Sequence, residues 1–221
     1  MELSPEDLDL STRYRIMAGA IVPRPIAMVS TISADGQPNL APYSFFNGAG
    51  SNPMTLLFCP ANNSDGSDKD TLRNCKPVEE GGTGQFVVNV AVESYYREVA
   101  AASEQLQPGE SEFDLTGLTM TPSRVIKPPR VAESPIAFEC ETMQVIRTNP
   151  GAKAGGNVVL GRIVHIHLED DLVDERLHID PEKLRAIGRL GGLGYCTTRD
   201  RFDIPRGRAA LDLPHKRSTD S

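Results

Sequence analysis

Apolar residues along the chain fall into short runs bounded by turn-forming residues, which is typical of β-strands rather than of long helices. Residues 26–33 form the first strong run, and the turn at residues 34–37 (ADGQ) closes it. This pattern predicts a hairpin in which residues 39–47 return as the partner strand. Residues 54–59 predict a third strand. Residues 85–92 are almost wholly apolar, which predicts a central strand buried on both faces.

The second half of the chain repeats the hairpin pattern. Residues 136–147 and 157–168 predict two strands joined by the Gly-, Pro- and Asn-rich residues 148–156. Residues 107–133 are rich in Pro and Gly and predict a long excursion with short strands over the barrel surface. Strands outnumber helices and come as hairpins rather than as β-α-β units. The pattern therefore predicts a mainly β fold, a β-barrel with a few helices, and disfavours a doubly wound nucleotide-binding fold.

Helical signals are short and fall at residues 4–19, 70–75, 93–103 and 181–187. Ser4 is predicted to cap the first segment, because Pro5 and acidic residues follow it. The third segment is predicted to place Tyr96, Val99 and Ala100 on one face.

The length of 221 residues suits a single domain over residues 1–221, with a core at about residues 12–200. The tail at residues 206–221 is basic and then polar, and we expect it to be flexible.

The apolar runs are far shorter than the roughly 20 residues that span a bilayer, and the acidic N-terminus is unlike a signal peptide. We therefore expect a cytoplasmic protein with no membrane partner. The net charge of -7 argues against nucleic acid, and an anionic cofactor would need a local cluster of donors.

Two histidines and four cysteines could suggest a metal site. His165 and His167 lie two apart in a predicted strand and so share a face. No third ligand is placed by the sequence, so an exposed or dimer-facing strand is the simpler interpretation, and no metal is expected. The cysteines (Cys59, Cys75, Cys140 and Cys196) form no C-x-x-C pair. We interpret them as buried or half-buried thiols.

Glu139 and Glu141 flank Cys140 and share a predicted strand face. Paired carboxylates can divide acid and base roles, but a solvated strand face opposite a buried Cys140 is the simpler interpretation. The sequence also has no G-x-x-x-x-G-K-[ST] phosphate loop, no G-x-S-x-G elbow and no H-E-x-x-H. We therefore predict no catalytic side chain.

Three segments carry more specific signals. In residues 22–31 two prolines flank Arg24 just before a strand that ends in hydroxyl residues. In residues 39–47 Pro42 interrupts the predicted strand, so that backbone amides can turn toward a ligand. Residues 68–71 open a short helix with Lys69 and Thr71, and a cation with free helix amides suits a phosphate.

Together, in this order, these segments resemble the flavin reductase-like family of FMN-binding split barrels, which includes flavoredoxin-type proteins. The matching pieces are Pro23-Arg24-Pro25-Ile26-Ala27 with Ser30-Thr31, then residues 39–46 (NLAPYSFF), Lys69-Asp70-Thr71, Phe86-Val87-Val88-Asn89, and Arg189-Leu190-Gly191-Gly192 with Tyr195. The resemblance runs from about residue 12 to residue 200.

The resemblance implies a six-stranded split barrel and a homodimer with FMN in a groove near the subunit interface. Ser30 and Thr31 would meet the flavin or its ribityl chain, and the stretch with Ala41, Ser44, Phe45 and Asn47 would meet the ring. Lys69 and Thr71 would hold the phosphate, with Arg24 as a further candidate, and Asp70 between them would belong to the same cofactor-binding segment. Arg189 and Gly192 would belong to a C-terminal segment that closes over the site, from the same subunit or its partner. The loop at residues 62–67 lacks the Arg that could compensate a phosphate, and the segment at residues 76–83 is longer than is usual in the family.

The implied activity is that of an NAD(P)H-dependent flavin reductase, with NADH or NADPH as donor and free flavin, oxygen or an electron-acceptor protein as acceptor. This chemistry needs stacking and orientation rather than an acid–base pair. Two alternatives stay open: a non-catalytic FMN carrier reduced by a partner protein, and a flavin-free split-barrel scaffold.

Overall fold

A seven-stranded antiparallel sheet dominates the computed structural model, which describes residues 1–107 and 110–212. The helices are α1 (Leu10–Ala20), α2 (Asp70–Cys75), α3 (Tyr96–Ala101), α4 (Glu112–Thr116) and α5 (Pro181–Leu184). The strands are β1 (Arg24–Pro25), β2 (Ala27–Ile32), β3 (Pro38–Tyr43), β4 (Phe46–Ser51), β5 (Met54–Phe58), β6 (Gln85–Val90), β7 (Met120–Thr121), β8 (Arg130–Val131), β9 (Ile136–Arg147), β10 (Asn157–Leu168), β11 (Ile187–Arg189) and β12 (Tyr195–Thr197). Most of the predicted flexible tail, residues 213–221, lies outside the described residues, and its start contains a 3₁₀ turn at Gly207–Ala210.

The large sheet has the strand order β3-β2-β6-β9-β10-β5-β4. Both predicted hairpins are present, β2 with β3 and β9 with β10, and the second has the predicted bounds. The mainly β prediction is therefore confirmed. A smaller sheet, β1-β11-β12, pairs Arg24 with Arg189 and so brings the start of the barrel to the C-terminal segment. In the described parts of the chain no helix has the length and apolar character that a membrane span requires.

The predicted strand at residues 39–47 is wrong as one element, because it breaks at Ser44 and Phe45. β3 pairs with β2 at one edge of the sheet, whereas β4 pairs with β5 at the opposite edge. The break joins the two edges of a strongly curled sheet, and Cys59 N donates to Phe45 O at 2.8 Å across the junction. The split gives seven strands rather than the six that the resemblance implies.

Two apolar cores lie on the two sides of the sheet. Inside the curl, Val29, Phe58 and Phe86 pack with neighbours from β5, β9 and β10, and the Phe58 and Phe86 ring centroids are 5.1 Å apart. Outside it, Met28 and Val99 belong to a second cluster under α3 and α4. The prediction that β6 is buried on both faces is confirmed, since Phe86, Val87, Val88 and Asn89 are all fully buried.

One helix prediction needs correction, and a second segment is divided in the structure. The first α-helix begins at Leu10 and is capped by Asp9, not by Ser4, because the Asp9 carboxylate accepts from Thr12 N at 2.8 Å. Ser4 precedes only a 3₁₀ turn at Pro5–Asp7. In the third segment a 3₁₀ turn at Glu93–Tyr95 precedes α3 and shifts its phase. As a result Tyr95, Val99 and Ala102 are buried, while Tyr96 and Ala100 are exposed.

The expectation that Glu139 lies on a solvated face is wrong. Glu139 is fully buried, and its carboxylate accepts hydrogen bonds from Arg124 N at 2.6 Å and Val125 N at 2.8 Å. Residues 122–130, which we call the strap, cross this face of the sheet. Their prolines prevent a regular ladder, so side chains from the sheet bind their backbone groups instead. Glu141 remains on the surface, where it pairs with Arg162 at 2.7 Å.

Candidate functional site

Arg24 joins three separate parts of the chain. It is only 3% exposed, and its Nε donates to Ser44 Oγ at 3.1 Å. One terminal nitrogen donates to the carbonyls of Ala18 and Ile21, the latter at 2.8 Å, and the other donates to Leu190 O at 3.1 Å. The guanidinium also lies 5.7 Å from the centroid of the Phe45 ring. Arg24 thus holds α1, the break between β3 and β4 and the C-terminal segment together, with each of its three nitrogens donating to protein oxygen.

The turn between β11 and β12, residues 190–194, packs directly on α1. A Cβ atom at Gly191 would lie 3.2 Å from Gly19 Cα, so the two backbones meet without an intervening side chain. Gly192 has a φ of 59°, in the left-handed region that favours glycine. Arg189 donates to Gly194 O at 2.7 Å and lies 4.5 Å from the centroid of the Tyr195 ring. These contacts fix Arg189 at the edge of the turn.

A cleft of about 220 Å³ lies between α1 and this turn. The helix lines it with Ser11, Tyr14 and Arg15, and the turn region lines it with Arg189, Leu190 and Gly192. The ring of Tyr14 also faces that of Phe45, with centroids 6.3 Å apart. The structure therefore brings five predicted site residues to one region: Arg24, Ser44, Phe45, Arg189 and Gly192.

A second group of predicted residues lies where α2 packs on β2 and β3. Asn39 Nδ2 donates to Thr31 Oγ1 at 3.1 Å and to Thr71 Oγ1 at 2.9 Å, and Asn74 Nδ2 donates to Thr31 Oγ1 at 3.1 Å. All four side chains are buried. Burial also raises the pKa of the nearby Tyr43 phenol, so that it stays protonated. Thr31 and Thr71 thus hold α2 against the barrel.

Lys69 and Asp70 are the exposed members of this second group. Lys69 directly precedes α2, and Asp70 opens the helix and pairs with Arg73 one turn later. Lys69 therefore places a positive charge on the surface next to the buried Thr31–Asn39–Thr71 contacts.

Ser30 is separated from both groups. It is the neighbour of Thr31 on β2, so its side chain points to the opposite face of the sheet. There its hydroxyl donates to Pro129 O of the strap at 2.5 Å and accepts from Asn89 Nδ2 at 3.2 Å. Ser30 is fully buried. The structure gives it a role in holding the strap.

Strand β3 and its continuation connect the two groups. Asn39 contacts the α2 group, and Ser44 contacts Arg24. At about 3.4 Å per residue, the five steps between them span about 17 Å. Ala41 is half-buried along this path and Asn47 is exposed at its far end. The result is a surface with the Lys69 ammonium at one end and the Ser44–Phe45 break at the other.

Sequence reasoning missed Glu112, which lies on α4 beside this path. Its carboxylate accepts from Leu40 N at 3.1 Å. Burial raises the pKa of the Glu112 carboxyl, and the charge of Asp70 acts in the same direction. Glu112 belongs to the excursion at residues 107–133, where no periodic signal marked it. Tyr14 and Arg15 were missed because α1 has no distinctive motif.

A larger cavity of about 440 Å³ lies elsewhere and contains none of the predicted site residues. Glu93 binds Arg199 through two contacts, one of them 2.9 Å from Nε, and lies 3.7 Å from Arg185. The hydrogen bond from Arg199 lowers the pKa of Glu93. This is a surface network of paired charges.

The described residues contain no group of three or more His, Cys, Asp or Glu side chains arranged to hold a metal ion. His165 and His167 are half-buried on β10. The four cysteines are free thiols, with Cys75 and Cys140 buried and Cys59 and Cys196 half-buried, as predicted.

Comparison with known proteins identifies the family. A model of the flavin reductase like domain matches residues 17–188, which spans the region from α1 to β11. The chain belongs to the flavin reductase-like family, and this membership supports flavin-related oxidoreduction.

Solved structures agree with this assignment. Component B of nitrilotriacetate monooxygenase from Bacillus cereus is 32% identical, with a TM-score of 0.84 over 92% of this chain and 98% of that chain. The 2-nitrobenzoate 2-nitroreductase NbaA of Pseudomonas fluorescens is 30% identical, with a TM-score of 0.81 over 98% and 100%. A split-barrel protein from Shewanella frigidimarina NCIMB 400 is 23% identical, with a TM-score of 0.78 over 94% and 100%. At that identity the likeness shows the fold alone, and the expected split barrel is confirmed.

Proposed function

We propose that this chain binds FMN and catalyses the NAD(P)H-dependent reduction of flavin. The observation that carries the proposal is the surface that runs along β3 from Lys69 to the Ser44–Phe45 break. It offers the Lys69 cation at one end and the half-buried Ser44 and Phe45 side chains at the other, in a chain of the flavin reductase-like family. FMN has matching parts, a dianionic phosphate and a flat ring.

The residues divide by accessibility. Lys69 and Asp70 are exposed where the phosphate would lie, and Ala41, Ser44, Phe45 and Asn47 are half-buried or exposed where the ring would lie. Arg189 and Gly192 would border the ring end of the site. The hydrogen bonds of Arg24, Thr31 and Thr71 support this surface from inside. The remaining predicted residue, Ser30, holds the strap on the opposite face of the sheet.

Bound FMN supplies the two-electron chemistry, and the protein supplies binding and orientation. The Arg24 contacts fix the Ser44–Phe45 break, so that this wall is preorganised. Because no side chain has to move a proton in this scheme, the proposal needs no acid–base pair.

The test is a visible absorbance spectrum of the purified protein, followed by anaerobic addition of NADH and then NADPH. A flavin spectrum that bleaches within seconds supports the reductase and identifies its donor. A flavin spectrum that stays oxidised with both donors identifies an FMN carrier. A colourless protein that takes up no added FMN contradicts flavin binding and leaves a scaffold.

The electron acceptor of the proposed reaction is free flavin, oxygen or a partner protein. A nitroaromatic compound is a second candidate, because the nitroreductase NbaA matches this chain over its whole length at 30% identity. Oxidation of the reduced protein by 2-nitrobenzoate, followed anaerobically through the return of flavin absorbance, distinguishes this acceptor from the others.

A further inference from the structure

The cleft between α1 and the turn at residues 190–194 carries two arginines with unused hydrogen-bond donors. Arg15 is exposed on α1, and no residue in the described part of the chain accepts a hydrogen bond or forms an ion pair with it. The nearby Arg13, by contrast, donates to Leu8 O at 2.8 Å and to Glu6 O at 3.4 Å, away from the cleft. Arg189 uses one nitrogen on Gly194 O and keeps other donors for a ligand.

The cleft is built by packing and not by chance proximity of surface side chains. Gly191 and Gly19 meet backbone to backbone, and Arg24 ties Leu190 to Ala18 from beneath. These contacts hold the two walls at a fixed separation. Tyr14 lines the cleft, and its ring centroid lies 6.3 Å from that of Phe45. The cleft therefore adjoins the wall where the flavin ring is proposed to lie.

The charge of the cleft is opposite to that of the whole chain. An anionic ligand is repelled by the net charge of -7, so it needs a local group of cations. Guanidinium groups suit phosphate oxygens because their planar donors match them in pairs. The volume of about 220 Å³ is below the roughly 300–1,000 Å³ that encloses a whole drug-sized ligand. One end of a larger ligand fits it better than a complete dinucleotide.

We infer that this cleft binds a phosphate group of the reduced nicotinamide donor, with Arg15 as the specificity-determining cation and Arg189 as its neighbour. The inference rests on the proposed function, because it names where the second substrate of that reaction is held. It makes α1 part of the donor site rather than of the flavin site.

The experiment is calorimetric titration of the flavin-loaded protein with the oxidised nucleotides NMN⁺, NAD⁺ and NADP⁺, which needs no turnover. Arg15→Gln is expected to raise the Kd of the contacted nucleotides about tenfold, because it removes a charge-assisted hydrogen bond. Arg15→Lys keeps the charge and should recover most of the affinity. Arg13→Gln, on the same helix but outside the cleft, is the control and should bind like the wild type.

The three nucleotides separate the phosphates. A loss confined to NADP⁺ assigns the cleft to the 2′-phosphate, a loss for NAD⁺ and NADP⁺ assigns it to the pyrophosphate, and a loss for all three assigns it to the phosphate beside the nicotinamide ribose. Unchanged affinities in Arg15→Gln, or a loss of flavin instead of nucleotide, would overturn the inference. Flavin content is measured first, so a wild-type protein without flavin would overturn the proposed function separately.

Discussion

Buried polar side chains decide the local geometry at several positions of this protein. Thr31 and Thr71 share the amide of Asn39, Ser30 binds the strap, and Arg24 binds four oxygens. The resemblance marked all of these residues except Asn39 as direct contacts of the cofactor. In the described chain these side chains are buried and bind protein groups: Arg24, Thr31 and Thr71 fix segments beside the proposed site, and Ser30 fixes the strap. Their contact with the cofactor stays a prediction.

Lys69 is the residue whose charge the proposal uses most directly. Lys69→Ala is expected to weaken FMN binding about tenfold or more, because a charge-assisted contact is worth roughly 1.5–3 kcal/mol. Lys183→Ala is a suitable control, since Lys183 lines the separate charged cavity. Fluorescence titration of the apoprotein with FMN measures both. An unchanged affinity in Lys69→Ala would show that the phosphate lies elsewhere.

Glu139 and Glu141 provide a matched pair on one strand. Glu139→Gln replaces one of two acceptor oxygens with an amide NH2 group, a donor that faces a backbone N–H of the strap. A buried donor left without a partner costs about 1–3 kcal/mol, so we expect a loss of this size in urea unfolding. Glu141→Gln removes only an exposed pair with Arg162 and should cost less than about 1 kcal/mol. Equal effects of the two substitutions would mean that the strap is not held by Glu139.

Local sequence patterns correctly predicted the first and last residues of several helices and strands. Helix α2 and strands β9 and β10 begin and end at the predicted residues, because turn residues and alternation are local signals. The break at Ser44 and Phe45 was not predicted, since it depends on the meeting of two sheet edges that are distant in sequence. The burial of Glu139 was missed because it depends on a tertiary contact: the strap, 14 or 15 residues away along the chain, packs on its carboxylate. The cleft on α1 likewise arises from a contact between residues 19 and 191.

The packing of Gly191 against Gly19 of α1 can be tested by substitution of each glycine. Gly191→Ala places a Cβ atom 3.2 Å from Gly19 Cα, so the turn at residues 190–194 must shift, and overpacking of this kind costs about 1–3 kcal/mol. In Gly19→Ala the new Cβ atom meets nothing within 4 Å, and alanine favours the helix. Thermal unfolding should therefore give a lower Tm for Gly191→Ala and an unchanged or higher Tm for Gly19→Ala. The reverse order would contradict the close packing of the turn on α1.

At the scale of the whole molecule, α1 is an amphipathic helix that the described chain leaves largely exposed. Ala18 is its one buried residue, and Leu10, Tyr14, Met17 and Ile21 are each between 44% and 58% exposed. These four residues recur at helical spacing and form one stripe. A helix of 11 residues is marginal without a packed apolar face, so a second molecule is expected to cover this one. The resemblance implies that this molecule is another copy of the chain.

The homodimer prediction can be tested at the centre of that stripe. Met17→Glu would place a charge in an apolar contact between two copies, which is strongly unfavourable, so the mass from sedimentation equilibrium should fall from twice the chain mass to the chain mass. Leu115→Glu changes an equally exposed apolar residue on α4 and should leave the dimer intact. If the partner also closes the flavin site, the Met17→Glu monomer should lose FMN in proportion to the loss of dimer. A wild-type monomer would contradict the homodimer prediction. A Met17→Glu dimer as stable as the wild type would show that α1 lies outside the interface, because a buried charge in an apolar contact would weaken the dimer.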